Sequence, residues 1–215
     1  GSSMKRGREA LRLYAVTDRS WLRQGEKLAS VVEELLKAGV TCVQLREKQA
    51  DDTEFLREAY ALKEVCSWYH VPLIINDRPD IARKIEADGV HVGLSDMAIE
   101  QAREFLGGDY IIGSSAHNVE EALAAQRAGA DYLGCGAVFG STTKKDTTGL
   151  SLTELERICR SVSLPAVAIG GVSRENIGLL KATGVCGAAV VSALFAAPDK
   201  GAATRELLKL WDSGK

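Results

Sequence analysis

Residues 140–149 read GSTTKKDTTG and directly follow DYLGCGAVF, an apolar, glycine-spaced run that is typical of a buried strand. Short hydroxyl side chains, backbone N–H groups and the ammonium groups of adjacent lysines together suit a phosphate. A solvated surface loop would have the same composition. The other candidate residues of the chain decide between the two interpretations.

A second group of cations lies in CVQLREK (42–48). Alternation along an extended strand places Gln44, Arg46 and Lys48 on one face and apolar residues on the other. A buried arginine needs an anionic partner. An internal ion pair with Asp or Glu is one explanation. We favour a bound anion, because two cations and an amide converge with no obvious carboxylate beside them.

Two carboxylates follow neighbouring apolar runs. LIIND (73–77) ends in Asn76 and Asp77, and Asp96 comes just after GVHVG (89–93). Strands that pair lie about 4.8 Å apart, so these two carboxylates could share one divalent cation. Oxygen ligands completed by water and a diphosphate suit Mg²⁺. Alternatively, Asp77 pairs with Arg78 or caps the next helix, and Asp96 caps the helix that follows it.

Further polar groups end the run YIIGSSA (110–116). Ser114, Ser115 and His117 would stand at its carboxyl end, and Asn118 would cap the following helix. His117 is either a reactive group or a structural hydrogen-bonding residue. His91, inside an apolar run, is predicted to be a hydrogen-bonded histidine of the fold's interior.

A phosphate cup is predicted near residues 166–194. Gly170 and Gly171 end AVAIGG, and Ser192 lies where a helix could begin after the last apolar run. Glycines and a helix start at these places form the usual phosphate site of a β/α barrel. Alternatively, the glycines only permit tight packing and a turn.

Short apolar runs and longer amphipathic runs alternate along the whole chain. Helices are predicted at 119–129, 152–162 and 204–214, among others. Eight strands, each followed by a helix, predict an α/β fold, a single (β/α)8 TIM barrel. A doubly wound open sheet is the alternative, but we find no convincing GxGxxG turn. The predicted strands are 13–18, 42–47, 73–77, 89–93, 110–116, 131–138, 166–171 and 187–194.

The composition indicates one soluble domain. The chain has 215 residues, 46% of them hydrophobic and 26% charged, with a net charge of -2. This balance argues against a nucleic-acid partner and an acidic membrane surface. No apolar run approaches the roughly 20 residues that span a bilayer. We interpret residues 1–4 (GSSM) as an expression-tag remnant, expect no signal peptide, and expect residues 5–215 to form one catalytic domain.

The cysteines predict a cytoplasmic protein. They are odd in number, scattered and without a CxxC pair, which is typical of small core residues in a reducing compartment. The five are Cys42, Cys66, Cys135, Cys159 and Cys186.

Eight motifs in order over nearly the whole chain resemble the thiamine phosphate synthase family. They are YAVTDR (14–19), VQLREK (43–48), LIINDR (73–78), GVHVGLSD (89–96), GSSAH (113–117), STTKKDT (141–147), AIGGV (168–172) and VVSAL (190–194). The resemblance implies a transferase of thiamine biosynthesis. Such an enzyme joins hydroxymethylpyrimidine diphosphate to hydroxyethylthiazole phosphate and releases pyrophosphate.

The resemblance also implies roles for individual residues. Asp77 and Asp96 would ligate Mg²⁺, and the other residues would contact the two small-molecule substrates. The expected catalytic contacts to the diphosphate are Arg46, Lys48, Ser115 and Lys144. Gln44 and Asn76 would hold the pyrimidine substrate. The thiazole phosphate would be held by Ser141, Thr143, Gly171, Val191 and Ser192. A homo-oligomer is compatible with the sequence.

The chain departs from the family pattern at two places. Gly140-Ser141 stands where the family often has Pro-Thr, and Leu94 where it often has Gln. Ser141 keeps a hydroxyl, whereas Gly140 predicts a looser loop that closes over the substrates. One alternative function is thiazole tautomerase, a relative on the same barrel with a histidine acid–base catalyst at the place of His117. Another is a barrel that senses a phosphate ligand without catalysis.

Overall fold

Eight parallel strands close into a barrel in which each strand pairs with its neighbours in the chain and the first pairs with the last. The protein is represented by a computed structural model that describes residues 7–140 and 149–214. The predicted TIM barrel is therefore confirmed. The strands are β1 (Leu13–Val16), β2 (Cys42–Leu45), β3 (Leu73–Asn76), β4 (Gly89–Val92), β5 (Ile111–Ala116), β6 (Tyr132–Cys135), β7 (Ala166–Ala168) and β8 (Gly187–Val190).

The α-helices of the described ranges lie outside this barrel and mostly alternate with its strands. They are α1 (Leu28–Ala38), α2 (Asp52–Trp68), α3 (Pro79–Ile85), α4 (Asp96–Leu106), α5 (Val119–Ala128), α6 (Leu152–Ser161), α7 (Ser192–Phe195) and α8 (Lys200–Asp212). Between β7 and β8 the chain forms two short 3-10 segments, Ile177–Leu179 and Lys181–Thr183, instead of an α-helix. The expectation of one helix after every strand is wrong there. Short 3-10 segments also precede β1 (Arg8–Leu11) and follow it (Arg19–Trp21).

All eight strands are shorter than the apolar runs that predict them, and the difference is largest, at four residues, in β6 and β8. The run 187–194 predicts a strand, yet β8 ends at Val190 and helix α7 begins at Ser192. The backbone N–H of Phe195 donates to the carbonyl of Val191 at 2.9 Å, which closes a helical turn. Apolar residues fit a buried helix as well as a buried strand, so the run alone did not separate the two.

Two buried layers hold the barrel together. One lies between the strands and the helices and contains the outward-facing Val43 and Leu45 of β2. The other fills the barrel, where Tyr14 and Tyr132 are its largest side chains. Alternation along each strand assigns successive residues to these two layers. The predicted polar face of β2 therefore points into the barrel and toward its mouth.

The five cysteines are free thiols, and Cys159 and Cys186 are only half-buried. Cys42, Cys66 and Cys135 are buried, and burial raises the pKa of the Cys66 thiol to about 12. None of the helices described in the two ranges is both long and apolar enough to cross a membrane.

Candidate functional site

A cleft of about 640 Å³ opens at the carboxyl ends of β8, β1 and β2. It brings together Arg46, Lys48 and Val191, three of the predicted site residues, and Lys48 is exposed on its wall. Its position agrees with the general rule that sites of this fold lie at the carboxyl ends of the strands. The cleft is lined by Thr17, Asp18, Arg19, Ser20, Arg46, Glu47, Lys48, Gln49, Ala50, Glu54 and Val191.

Arg46 is a half-buried cation at the end of β2. Its backbone N–H donates to the Thr17 hydroxyl at 3.0 Å, which ties the loop after β2 to the end of β1. Within the described ranges its guanidinium forms no ion pair. A partly desolvated arginine without a carboxylate favours the bound-anion interpretation over the internal ion pair.

Arg19 and two glutamates form an ion-pair cluster at the edge of this cleft, and sequence reasoning missed it. Arg19 Nε lies 3.5 Å from Glu47 Oε2, and Arg19 Nη1 lies 3.2 Å from Glu58 Oε2. Burial, and then the charge of Glu58, raises the pKa of Glu47 to about 7. The signal in the sequence was Glu47, a charged residue next to Arg46 that strand alternation directs away from the barrel mouth.

Gln44 and Asn76 lie side by side inside the barrel. Asn76 Nδ2 donates to Gln44 Oε1 at 3.0 Å, and Gln44 Nε2 donates to the Tyr14 hydroxyl at 3.0 Å. Gln44 is only 5% exposed, whereas Asn76, the last residue of β3, is half-buried. The neighbouring strands β2 and β3 thus fix the positions of the two amide side chains.

Ser115 is held by His91, which confirms that His91 is a hydrogen-bonded residue of the barrel interior. His91 Nε2 lies 3.1 Å from Ser115 Oγ, and His91 Nδ1 lies 2.9 Å from the Tyr132 hydroxyl. Burial, with the neighbouring Arg46 cation, lowers the pKa of His91 to about 4. Tyr132 in turn lies 2.6 Å from the Tyr14 hydroxyl. Sequence reasoning did not identify either tyrosine.

Asp77 has neither of the structural roles that compete with metal binding. Arg78 pairs with Asp52 at 2.9 Å and with Asp80 at 2.9 Å, and helix α3 has no side-chain cap. The exposed Asp77 carboxylate has no hydrogen-bond or ion-pair partner in 7–140 and 149–214. Its backbone is held in the left-handed region, φ 58°, by an N–H that donates to the His91 carbonyl at 2.8 Å. A free carboxylate oxygen donor at this place fits a hard cation such as Mg²⁺.

Asp96 is the first residue of helix α4, directly after the loop that follows β4. The N-cap is Ser95, whose hydroxyl accepts from the Ala98 N–H at 3.3 Å. The alternative that Asp96 is the cap is therefore wrong. Leu94, which stands where the family often has Gln, is 45% exposed at the same mouth. No group of three His, Cys, Asp or Glu side chains with a metal-binding arrangement occurs among the described side chains, and the side chain of Asp96 lies outside them.

The predicted phosphate cup has a packing explanation as well. Gly171 has φ 65°, and a Cβ added there would lie 2.7 Å from the Phe139 carbonyl oxygen. Gly140 has φ 80°, a conformation closed to the proline that the family often carries there. Helix α7 begins at Ser192, after Val191, so its first N–H groups have no acceptor inside the helix. The phosphate role of Gly171, Val191 and Ser192 stays a prediction.

His117 is exposed and bonds to helix α5. Its Nδ1 lies 3.1 Å from Glu121 Oε1, and Asn118 caps the helix through the Glu121 N–H at 2.8 Å, as predicted. These contacts agree with the structural interpretation of His117, and its reactive role stays a prediction. Ser141, Thr143 and Lys144 lie outside the described residues, as do residues 1–4, whose interpretation as an expression-tag remnant stays a prediction.

Comparisons with known proteins agree with this geometry. Residues 13–194 match the family model described as thiamine monophosphate synthase. The chain is 50% identical over 186 residues to the thiamine-phosphate synthase of Clostridium acetobutylicum, covering 86% of this chain and 88% of that protein. It is 49% identical over 199 residues to the thiamine-phosphate synthase of Methanobrevibacter smithii, covering 93% and 94%. The solved thiamine phosphate pyrophosphorylase of Pyrococcus furiosus superposes with a TM-score of 0.87 at 39% identity, covering 95% of this chain and 97% of that one.

Proposed function

The chain belongs to the thiamine monophosphate synthase family, and from this membership and its site we propose that it makes thiamine phosphate. The substrates would be 4-amino-2-methyl-5-(diphosphooxymethyl)pyrimidine and 4-methyl-5-(2-phosphooxyethyl)thiazole. The bond between the methylene carbon and the diphosphate oxygen breaks, the thiazole nitrogen bonds to that carbon, and pyrophosphate leaves.

One observation carries the proposal: Arg46 is a half-buried cation that forms no ion pair within the described residues, in a cleft that also contains Lys48. A diphosphate is the partner whose charge matches these two cations and Lys144. Negative charge grows on the leaving diphosphate as the bond breaks. Cations held in place near that group stabilise the transition state more than the ground state.

Mg²⁺ is the cofactor that we propose for this site, with Asp77 and Asp96 as its ligands. When bound, the ion would neutralise charge on the diphosphate. Asp77 suits this role because its exposed carboxylate has no other partner among the described residues.

The remaining side chains would bind and orient the two substrates. Gln44 and Asn76 would hold the pyrimidine, and Ser115 would donate to the diphosphate. The thiazole phosphate would be bound by Ser141, Thr143, Gly171, Val191 and Ser192. An electron-rich aminopyrimidine stabilises the cation left when the diphosphate departs, so we propose a dissociative path. The thiazole nitrogen attacks with its own lone pair and loses no proton, so no general base is needed.

The test is a coupled assay with the protein, Mg²⁺ and both substrates. We expect thiamine phosphate and pyrophosphate in equal amounts, with product lost in EDTA and in Lys144→Ala. Absence of product from a chain shown to be folded would contradict the proposal. In that case tautomerase activity, tested with His117→Ala, would be the next candidate.

A further inference from the structure

Hydrogen bonds link six side chains inside the barrel in the order Asn76, Gln44, Tyr14, Tyr132, His91 and Ser115, and we call this series the row. The direction in which each group donates to the next is set at the Asn76–Gln44 end. Asn76 Nδ2 donates to Gln44 Oε1, so the Gln44 amide nitrogen is the group that donates to Tyr14. The Tyr14 proton must then find an acceptor. The candidates are the Tyr132 oxygen, 2.6 Å away, and the Cys42 thiol. Because sulfur is a weak acceptor, the Tyr14 hydroxyl donates to Tyr132.

The same direction continues to Ser115. Tyr132 accepts from Tyr14, so its own proton is directed at His91 Nδ1, 2.9 Å away. A neutral imidazole has one N–H, and it must then lie on Nε2. This N–H donates to Ser115 Oγ at 3.1 Å. The Ser115 oxygen is thereby occupied as an acceptor, and its proton is left for a further group.

If each hydroxyl and imidazole donated in the opposite direction, fewer groups of the row would have a good hydrogen-bond partner. Tyr14 would receive donors from both Gln44 and Tyr132, and its proton would be left with sulfur. Ser115 would donate to His91 and would present only lone pairs at the mouth, where an anion would be repelled.

We propose that His91 and Tyr132 are positioning residues that hold the Ser115 hydroxyl as a hydrogen-bond donor toward the diphosphate. The inference rests on the proposed function, because the diphosphate is that reaction's leaving group. Within the described residues the Ser115 proton has no acceptor, so a bound anion completes the row. Tyr14 and Gln44 set the direction from the other end.

Nitrogen-15 NMR of the histidine rings tests the direction without any substrate. The chain has three histidines, and His91→Gln identifies the signals of His91. We expect the His91 proton on Nε2. A proton on Nδ1 would overturn the inference, whether or not the wild-type protein makes product.

A double-mutant cycle tests the functional part in the coupled assay. Tyr132→Phe removes the donor to His91 and keeps the ring, and we expect kcat to fall by about 10- to 100-fold with a smaller change in KM. In a Ser115→Ala background the same substitution should change kcat by less than about twofold, because the hydroxyl that it orients is gone. An equal loss of kcat in both backgrounds would show that Tyr132 does not act through Ser115.

Tyr69→Phe is the matched control. The Tyr69 hydroxyl lies 2.8 Å from Glu33 Oε2 outside the barrel, so this variant also loses one tyrosine hydrogen bond. Its kcat should equal that of the wild type. If Tyr132→Phe does not fold, Tyr14→Phe interrupts the row one step earlier and is measured in the same cycle.

Discussion

The amide of Asn76 and the hydroxyl of Ser115 are joined by an unbroken chain of hydrogen bonds that crosses the inside of the barrel. Six consecutive strands contribute one side chain each. Two groups that are predicted to contact the same substrate are therefore placed by the barrel itself, not by its loops. From β1 to β6 the six are Tyr14, Gln44, Asn76, His91, Ser115 and Tyr132.

Arg46→Ala should lower activity without lowering stability. Loss of a donor to a charged transition state typically costs about 10²–10³ in kcat. The free energy of unfolding without substrate should stay the same or rise slightly, because a half-buried cation that forms no ion pair in the described ranges is removed. Steady-state kinetics and urea unfolding measure the two effects. Arg157→Ala, on the exposed face of α6, is the control that should keep kcat.

A large loss of stability in Arg46→Ala would contradict this interpretation of the site. It would mean that the arginine serves the fold, as an internal ion pair would.

Asp77→Asn should abolish Mg²⁺-dependent activity and leave the fold intact. Asn tolerates the left-handed backbone that this position adopts, φ 58°, as well as Asp does. The carboxylate has no partner among the described residues, so we expect the free energy of unfolding to change by no more than about 0.5 kcal/mol. The measurements are kcat as a function of Mg²⁺ concentration and thermal unfolding.

Asp80→Asn is the matched control three residues away. It removes the ion pair with Arg78, so stability should fall by about 0–1 kcal/mol while activity is kept. Wild-type activity and wild-type Mg²⁺ dependence in Asp77→Asn would contradict the assignment of Asp77 as a metal ligand.

Alternation along the strands was sufficient to predict the parts of the site that depend on local geometry. CVQLREK has period-2 polarity; Gln44 does point into the barrel, and Arg46, just after β2, lines the cleft at its mouth. Asn76 and Asp77 are placed by the end of β3, where the chain leaves the barrel. Such placements follow from a strand alone.

The hydrogen-bonded interior could not be predicted in this way. Tyr14 and Tyr132 are separated by 118 positions, and each is an aromatic residue in an apolar run. Their strands are not neighbours, so only barrel closure brings the hydroxyls together. The strand prediction for the run that ends at VVSAL was wrong for a different reason. Apolar composition does not distinguish the end of β8 from the start of α7.

Glu47→Gln should change the pH dependence of stability. Burial and Glu58 raise the Glu47 pKa from 4.5 to about 7, so the folded state holds this proton more tightly than the unfolded state does. Stability from this group is therefore lost as pH rises from about 4.5 to about 7. The free energy of unfolding of the variant minus that of the wild type should therefore increase by about 2 kcal/mol from pH 5 to pH 8.

Urea unfolding at several pH values measures this difference. Glu58→Gln removes the neighbouring charge that raises the Glu47 pKa, so the pH-dependent loss from Glu47 should be smaller and should end at lower pH in that variant. A difference between Glu47→Gln and wild type that stays constant from pH 5 to pH 8 would contradict the assignment.

Gly113→Ala should disrupt the row of hydrogen bonds because it displaces the Tyr132 ring. Gly113 pairs with Tyr132 across β5 and β6, and an added Cβ would lie 2.1 Å from the ring's Cζ atom and 2.5 Å from its hydroxyl. The ring must move, which breaks its contacts to Tyr14 and His91, and overpacking of this kind costs about 1–3 kcal/mol. Gly108→Ala, where an added Cβ meets nothing within 4 Å, should stay within about 0.5 kcal/mol of the wild type. Urea midpoints that coincide for the two variants would show that the Tyr132 ring is free to shift and that the row is not rigidly held.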